Sequence, residues 1–166
     1  MEPWDESIED CFSLFTGKKL TMQSYQLWEK EGLRDEEHPL EPYNLTEQSL
    51  VRSFMTKKDQ AGEVQAFETE GNIEFKGRLI GGCMDCLVNL TGTKFDQVKS
   101  FNERYKEDGI IWYLESCDLN VFGIRRAIWQ MINAGWFEHV KGFLIGRPLH
   151  FGEEMIGLDQ YHAVID

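Results

Sequence analysis

The sequence predicts an α/β fold in which a small mixed sheet is flanked by helices. Three observations carry this prediction. The second half of the chain alternates helix, strand, helix, strand, helix; Ile110 to Leu114 (IIWYL) is an unbroken apolar run of strand length; and two extended stretches precede the pair Gly81-Gly82. Alternating strands and helices favour parallel strands joined by helical crossovers. The stretches before Gly81 add an antiparallel element.

In chain order, Met1 to about Arg34 mixes acidic and aromatic residues, and Ser24 to Lys30 fits either a short strand or a helical turn. Leu33 to Thr46, with Pro39 and Pro42, reads as an irregular surface segment. Glu47 to Lys57 reads as a short helix capped by Thr46. Val64 to Thr69 alternates apolar and polar residues as a half-buried strand does, and Ile73 to Ile80 is a second extended stretch broken at Gly77.

Cys83 to Leu90 then forms a short apolar helix that ends by Gly92, and Asp96 caps a helix reaching Tyr105. The run at Ile110 fits a strand buried on both faces. Asp118 or Asn120 caps the next helix, whose apolar face carries Val121, Ile124, Ile128, Met131 and Ile132, with Gly135 at its end. Val140 to Ile145 is a strand, and Glu153 to Ile165 a final amphipathic helix.

Composition narrows the function classes. The chain has 166 residues, 42% of them hydrophobic, which suffices for a globular core. Its net charge of -12 argues against nucleic acid and against anionic membrane surfaces as partners. Four irregularly spaced cysteines do not make a secreted disulfide framework, and neither a signal peptide nor a membrane-spanning run is visible. A cytoplasmic setting is the expectation.

Glu115 is the most informative polar residue. It follows the buried run directly, and ligands of open α/β sheets bind beyond the carboxyl ends of the strands. A carboxylate there could orient an imidazole or bind a cation; the alternative is a solvated strand end. Gly81 and Gly82 let backbone approach a ligand or a neighbouring strand, and the amides opening the Cys83 helix could receive an anion. The alternative is a plain strand-to-helix turn.

Arg147 ends a buried strand at the sheet edge where Glu115 also lies. Cys83-Met84-Asp85-Cys86 has redox-motif spacing, but its setting reads as small buried cysteines in a packed helix. His38, His139, His150 and His162 show no metal-ligand spacing, and the chain has no Gly-x-Ser-x-Gly elbow.

Gly77 to Gly92 (GRLIGGCMDCLVNLTG), Gly109 to Ser116 (GIIWYLES) and Arg125 to Pro148 together resemble the C-terminal domain of LD-carboxypeptidases. The matching features are a G-R-L-x-G-G stretch, a buried strand ending in Leu-Glu, a helix closing on Ala-Gly-x-Phe and a strand ending in Gly. The resemblance covers about Phe75 to Pro148. It assigns 1–62 to an acidic, linker-like segment packing on the domain and 63–166 to the domain itself.

The resemblance implies a swivelling-type β/β/α domain of a serine hydrolase with a Ser–His–Glu triad. Glu115 matches the glutamate, while Gly81, Gly82, Cys83 and Arg147 would border the substrate. The serine belongs to a separate N-terminal nucleophile domain, and the histidine follows in a Gly-His pair beyond the last helix, so the chain would stop short of it. His162 comes too early for that role. Cys83 departs from the asparagine common at its place.

Substrates implied are the L–D bond of murein tetrapeptides or microcin-type peptidyl adenylates. No metal or other cofactor is implied. Family members are cytoplasmic and often dimeric, which leaves a homodimer open. Two other readings stand beside this one: a non-catalytic binding or regulatory module of the same fold, and a cysteine redox protein built on Cys83 and Cys86.

Overall fold

A computed structural model describes residues 6–149 and 152–165; His150 lies outside them. The chain divides into two compact units, Met1–Arg52 and Ser53–Asp166. In the first, helix α1 spans Glu6–Phe15. Strand β1, Leu27–Glu29, pairs antiparallel with β2, Leu45–Gln48. The Trp28 indole N–H donates to the Gln48 carbonyl at 3.2 Å. The ambiguous Ser24 to Lys30 segment thus holds a three-residue strand, and α1 is a helix that the mixed acidic and aromatic composition concealed.

The second unit opens with an antiparallel hairpin of β3, Phe54–Lys58, and β4, Val64–Glu68. The helix expected over Glu47 to Lys57 is absent, because Asp59 closes a turn that zips these strands together. Its Oδ1 accepts from the backbone N–H of Ala61 and of Glu63, both at 2.9 Å. An Asp side chain bonding its own following backbone is a strong turn former, and here it outweighs a helical pattern of modest strength.

Next comes a three-stranded sheet in the order β5-β6-β7, from Arg78–Cys83, Ile110–Glu115 and Val140–Ile145. Both pairings are parallel. The α/β class holds, with antiparallel pairing confined, among the described residues, to the two strand pairs β1–β2 and β3–β4 and an isolated bridge between Met155 and Leu158. The helices of this unit are α2 (Met84–Val88), α3 (Val98–Arg104), α4 (Val121–Asn133) and α5 (Gln160–Ile165). The final helix is shorter than expected, because Ile156 and Gly157 take positive φ and a bridge between Met155 and Leu158 makes a tight turn before it.

The core lies on one face of the sheet. Ile110, Trp112 and Leu114 of β6 are at most 2% exposed, and they pack with Met84, Val121, Ile124, Ala127, Met131, Trp136 and Ala163. Trp112 stacks on Trp136 with ring centroids 5.7 Å apart. Successive strand side chains point to opposite faces, and Tyr113, between the buried residues, is 42% exposed.

The expectation of a strand buried on both faces is therefore corrected. Every helix of the unit contributes to the same cluster, so one face is covered and the other keeps Leu79, Tyr113 and Leu144 exposed. On α4 the buried stripe is Val121, Ile124, Ala127 and Met131, whereas Ile132 is exposed. Among the described residues no helix is long and apolar enough to cross a membrane.

Candidate functional site

The carboxyl ends of the parallel strands meet at Glu115. It is the last residue of β6, half-buried, and the register partner of Cys83, the last residue of β5. On its other side Gly146 follows β7, its amide donating to the Leu114 carbonyl at 2.8 Å. A Cβ at Gly146 would stand 3.5 Å from the Cβ and Cγ of Glu115, so this glycine lies directly against the glutamate stem.

Past Glu115 the chain turns sharply. Cys117 takes φ 50, a left-handed value rare for a residue with a side chain. This turns its amide back to donate to Glu115 Oε1. The amide of Leu119 donates to the Ser116 carbonyl at 2.9 Å, and the Asn120 side chain caps α4 by accepting from Gly123 N–H at 2.9 Å. Of the two expected caps, Asn120 serves. The Leu149 amide donates to the Cys117 carbonyl at 3.1 Å, fastening the segment after β7 to this turn.

Glu115 is thus a buttressed carboxylate. One oxygen is held by a backbone N–H, and Oε2 carries no hydrogen bond among the described residues. Such a group can accept the N–H of an imidazole and stabilise its cation. Ser116 beside it is 1% exposed and is sealed away from any substrate.

The other expected site residues divide. Cys83 reaches the site by strand register. Gly81 is required by the sheet itself, since a Cβ there would lie 1.8 Å from the Tyr113 carbonyl oxygen. Gly82 takes φ 150 with nothing nearer than Leu87 at 3.8 Å, so its backbone is open. The helix after Cys83 has only five residues, and one turn supplies little dipole for an anion. Arg147 follows Gly146 at the same edge and is exposed, with partial dehydration of its guanidinium lowering its proton affinity.

Three details were hidden from the sequence: the Cys117 amide on Glu115, the packing of Gly146 on its stem, and the state of the cysteines. Cys86 is exposed and Cys83 only half-buried, which overturns the reading of both as buried cysteines. A positive φ at a non-glycine residue leaves no mark on sequence pattern. The glycine ending the last strand was the one signal that pointed to Gly146.

The remaining polar groups lie elsewhere. His162 pairs with Asp159 at 2.7 Å at the start of α5. His38 pairs with Asp35 at 3.0 Å. Glu103, Glu138 and His139 each place one ligand atom within 4.8 Å of the others, a grouping the histidine spacing did not suggest. All three are exposed, and Glu103 pairs with Lys106 at 3.3 Å, as solvated surface charges do.

No curated protein and no solved structure matches the chain. The family model of the LD-carboxypeptidase C-terminal domain matches residues 76–165. That span runs from β5 through Glu115 and α4 to α5, and the chain belongs to this family.

Proposed function

We propose that this domain supplies the acid of a Ser–His–Glu triad, Glu115, to an LD-carboxypeptidase-like serine hydrolase. Family membership gives the domain a peptidase-related role. The observation that carries the finer reading is the state of Glu115: half-buried at the carboxyl end of the central strand, with one oxygen fixed by the Cys117 amide.

In this mechanism Glu115 accepts the Nδ1–H of the triad histidine, holds its tautomer and stabilises the imidazolium that forms as the serine is deprotonated. The serine comes from a nucleophile domain and the histidine from a segment beyond α5. Gly82, Cys83 and Arg147 border the peptide, and Gly81 acts through the sheet. The substrate is a peptide with an L–D bond, of the murein tetrapeptide kind, or a peptidyl adenylate of the microcin kind. The reaction proceeds without a metal, in the cytoplasm.

The coding sequence on either side of the chain, expressed with it, tests the reading. An elbow serine upstream, a Gly-His pair downstream, and release of a C-terminal D-residue that falls on the order of 10⁴-fold in Glu115→Gln are expected. Flanks lacking both residues, or an unchanged rate in the variant, would sink it and favour a non-catalytic module of the same fold.

A further inference from the structure

We propose that Cys83 and Cys86 form a reversible dithiol–disulfide site beside Glu115, oxidised by small-molecule disulfides. Three of the four cysteines converge on the carboxyl ends of β5 and β6. Cys83 ends β5 as the register partner of Glu115 and is the N-cap of α2; Cys86 lies in the first turn of that helix; Cys117 holds Glu115 through its amide.

On a helix with a Cα radius of about 2.3 Å and a rise of about 1.5 Å per residue, residues three apart have Cα atoms about 5 Å apart. A disulfide asks for Cα atoms roughly 4.4–6.8 Å apart, so the turn brings Cys83 and Cys86 into range without moving a strand. Both sulfurs can be reached by a reagent, since Cys86 is exposed and Cys83 half-buried. Among the described residues the groups suited to a metal ion include no cysteine, so the geometry favours a bridge over a thiolate metal site.

The thiols are also paired. The hydrogen bond with the Cys83 sulfur pushes the Cys86 thiol up, helped by the charges of Cys83, Asp85 and Cys117 and by partial burial. Cys83 loses its proton and attacks one sulfur of a disulfide RSSR, expelling RS⁻. Cys86 then loses its proton, attacks the Cys83 sulfur of the mixed disulfide and expels the second RS⁻. Two protein thiols give up two electrons and two protons, and RSSR leaves as two RSH.

Cys117 is the competing partner. The Asp118 amide pulls its thiol down, but partial burial and the charges of Asp118, Cys83 and Glu115 outweigh this and raise it. It also lies across the strand ends rather than along one helical turn. The inference does not depend on Glu115 being a triad acid.

The test titrates the purified chain with mixtures of oxidised and reduced glutathione, then quenches, alkylates and maps the peptides by mass. Two of the four alkylation sites, Cys83 and Cys86, are expected to be lost together and regained on reduction, while Cys11 and Cys117 stay alkylated. Cys86→Ser should stop at glutathione on Cys83, and Cys117→Ser should leave the bridge unchanged; circular dichroism confirms that each variant folds. Full alkylation of Cys83 and Cys86 at every ratio, a bridge from Cys83 to Cys117, or wild-type protein stopping at the mixed disulfide would overturn the proposal.

Discussion

The backbones of Gly81 and Tyr113 approach so closely that a Cβ at position 81 would lie 1.8 Å from the Tyr113 carbonyl oxygen. Gly82 has a similar φ, 150 against 154, without the collision. The two neighbours therefore separate steric from torsional cost. Gly82→Ala should destabilise the domain by about 1–3 kcal/mol from backbone strain alone. Gly81→Ala should add the cost of forcing two strands apart, for a total on the order of 4 kcal/mol or more. Urea unfolding of the two variants checks the order; equal losses would refute it.

Asp96 ties three pieces of chain together. Its Oδ2 accepts from Gly92 N–H and Trp136 Nε1–H, both at 3.0 Å, and its Oδ1 from Val98 N–H at 3.2 Å. Partial burial acts to raise its pKa, but these hydrogen bonds and Lys99 outweigh it and leave the carboxyl below its ordinary value. A depressed folded pKa means stability that is present above the unfolded pKa, about 3.9, and is lost as pH falls through the folded value. Unfolding free energy should thus drop more steeply below about pH 4 in wild type than in Asp96→Asn. The variant should be about 1–2 kcal/mol less stable at neutral pH.

Asn120 caps the longest helix of the chain's second unit through Gly123 N–H. Asn120→Ala should cost about 1 kcal/mol and Asn120→Asp close to nothing. Thermal melting followed at the helical signal distinguishes them.

Glu115→Gln should change folding stability by less than about 1 kcal/mol, because an amide oxygen can still accept the Cys117 N–H. A large loss of hydrolysis with little loss of stability marks a chemical role. The 166-residue chain by itself should release no C-terminal residue from a tetrapeptide, since it holds no elbow serine and Ser116 is buried. Product detection by mass spectrometry measures this directly.

The elements with strong periodicity were legible. Ile110 to Leu114 and Val140 to Ile145 are strands within a residue of their expected ends, because each is an apolar-rich stretch of strand length bounded by glycine. Asn120 and Gly135 mark the two ends of α4. The segment from Glu47 to Lys57 was misread, since its two ends belong to strands whose partners, β1 and β4, lie outside it, and helical propensity within the segment cannot see them.

The position of Glu115 at the end of the central strand was legible from the apolar run before it. What holds it was not, because a left-handed Cys117 and an unencumbered Gly146 are properties of backbone path rather than residue type. The cysteines were misjudged for a related reason: helix α2 stops at Val88, too short to wrap them in packing.

The central strand is bonded on both sides and buries Ile110, Trp112 and Leu114. Its amides should be the last in the domain to exchange with solvent, opening only when the whole unit unfolds. An acid mounted on the end of that strand inherits its lifetime. Breathing of the β3–β4 hairpin or of the turn before α5 can then come and go on much faster timescales while the carboxylate stays where it is.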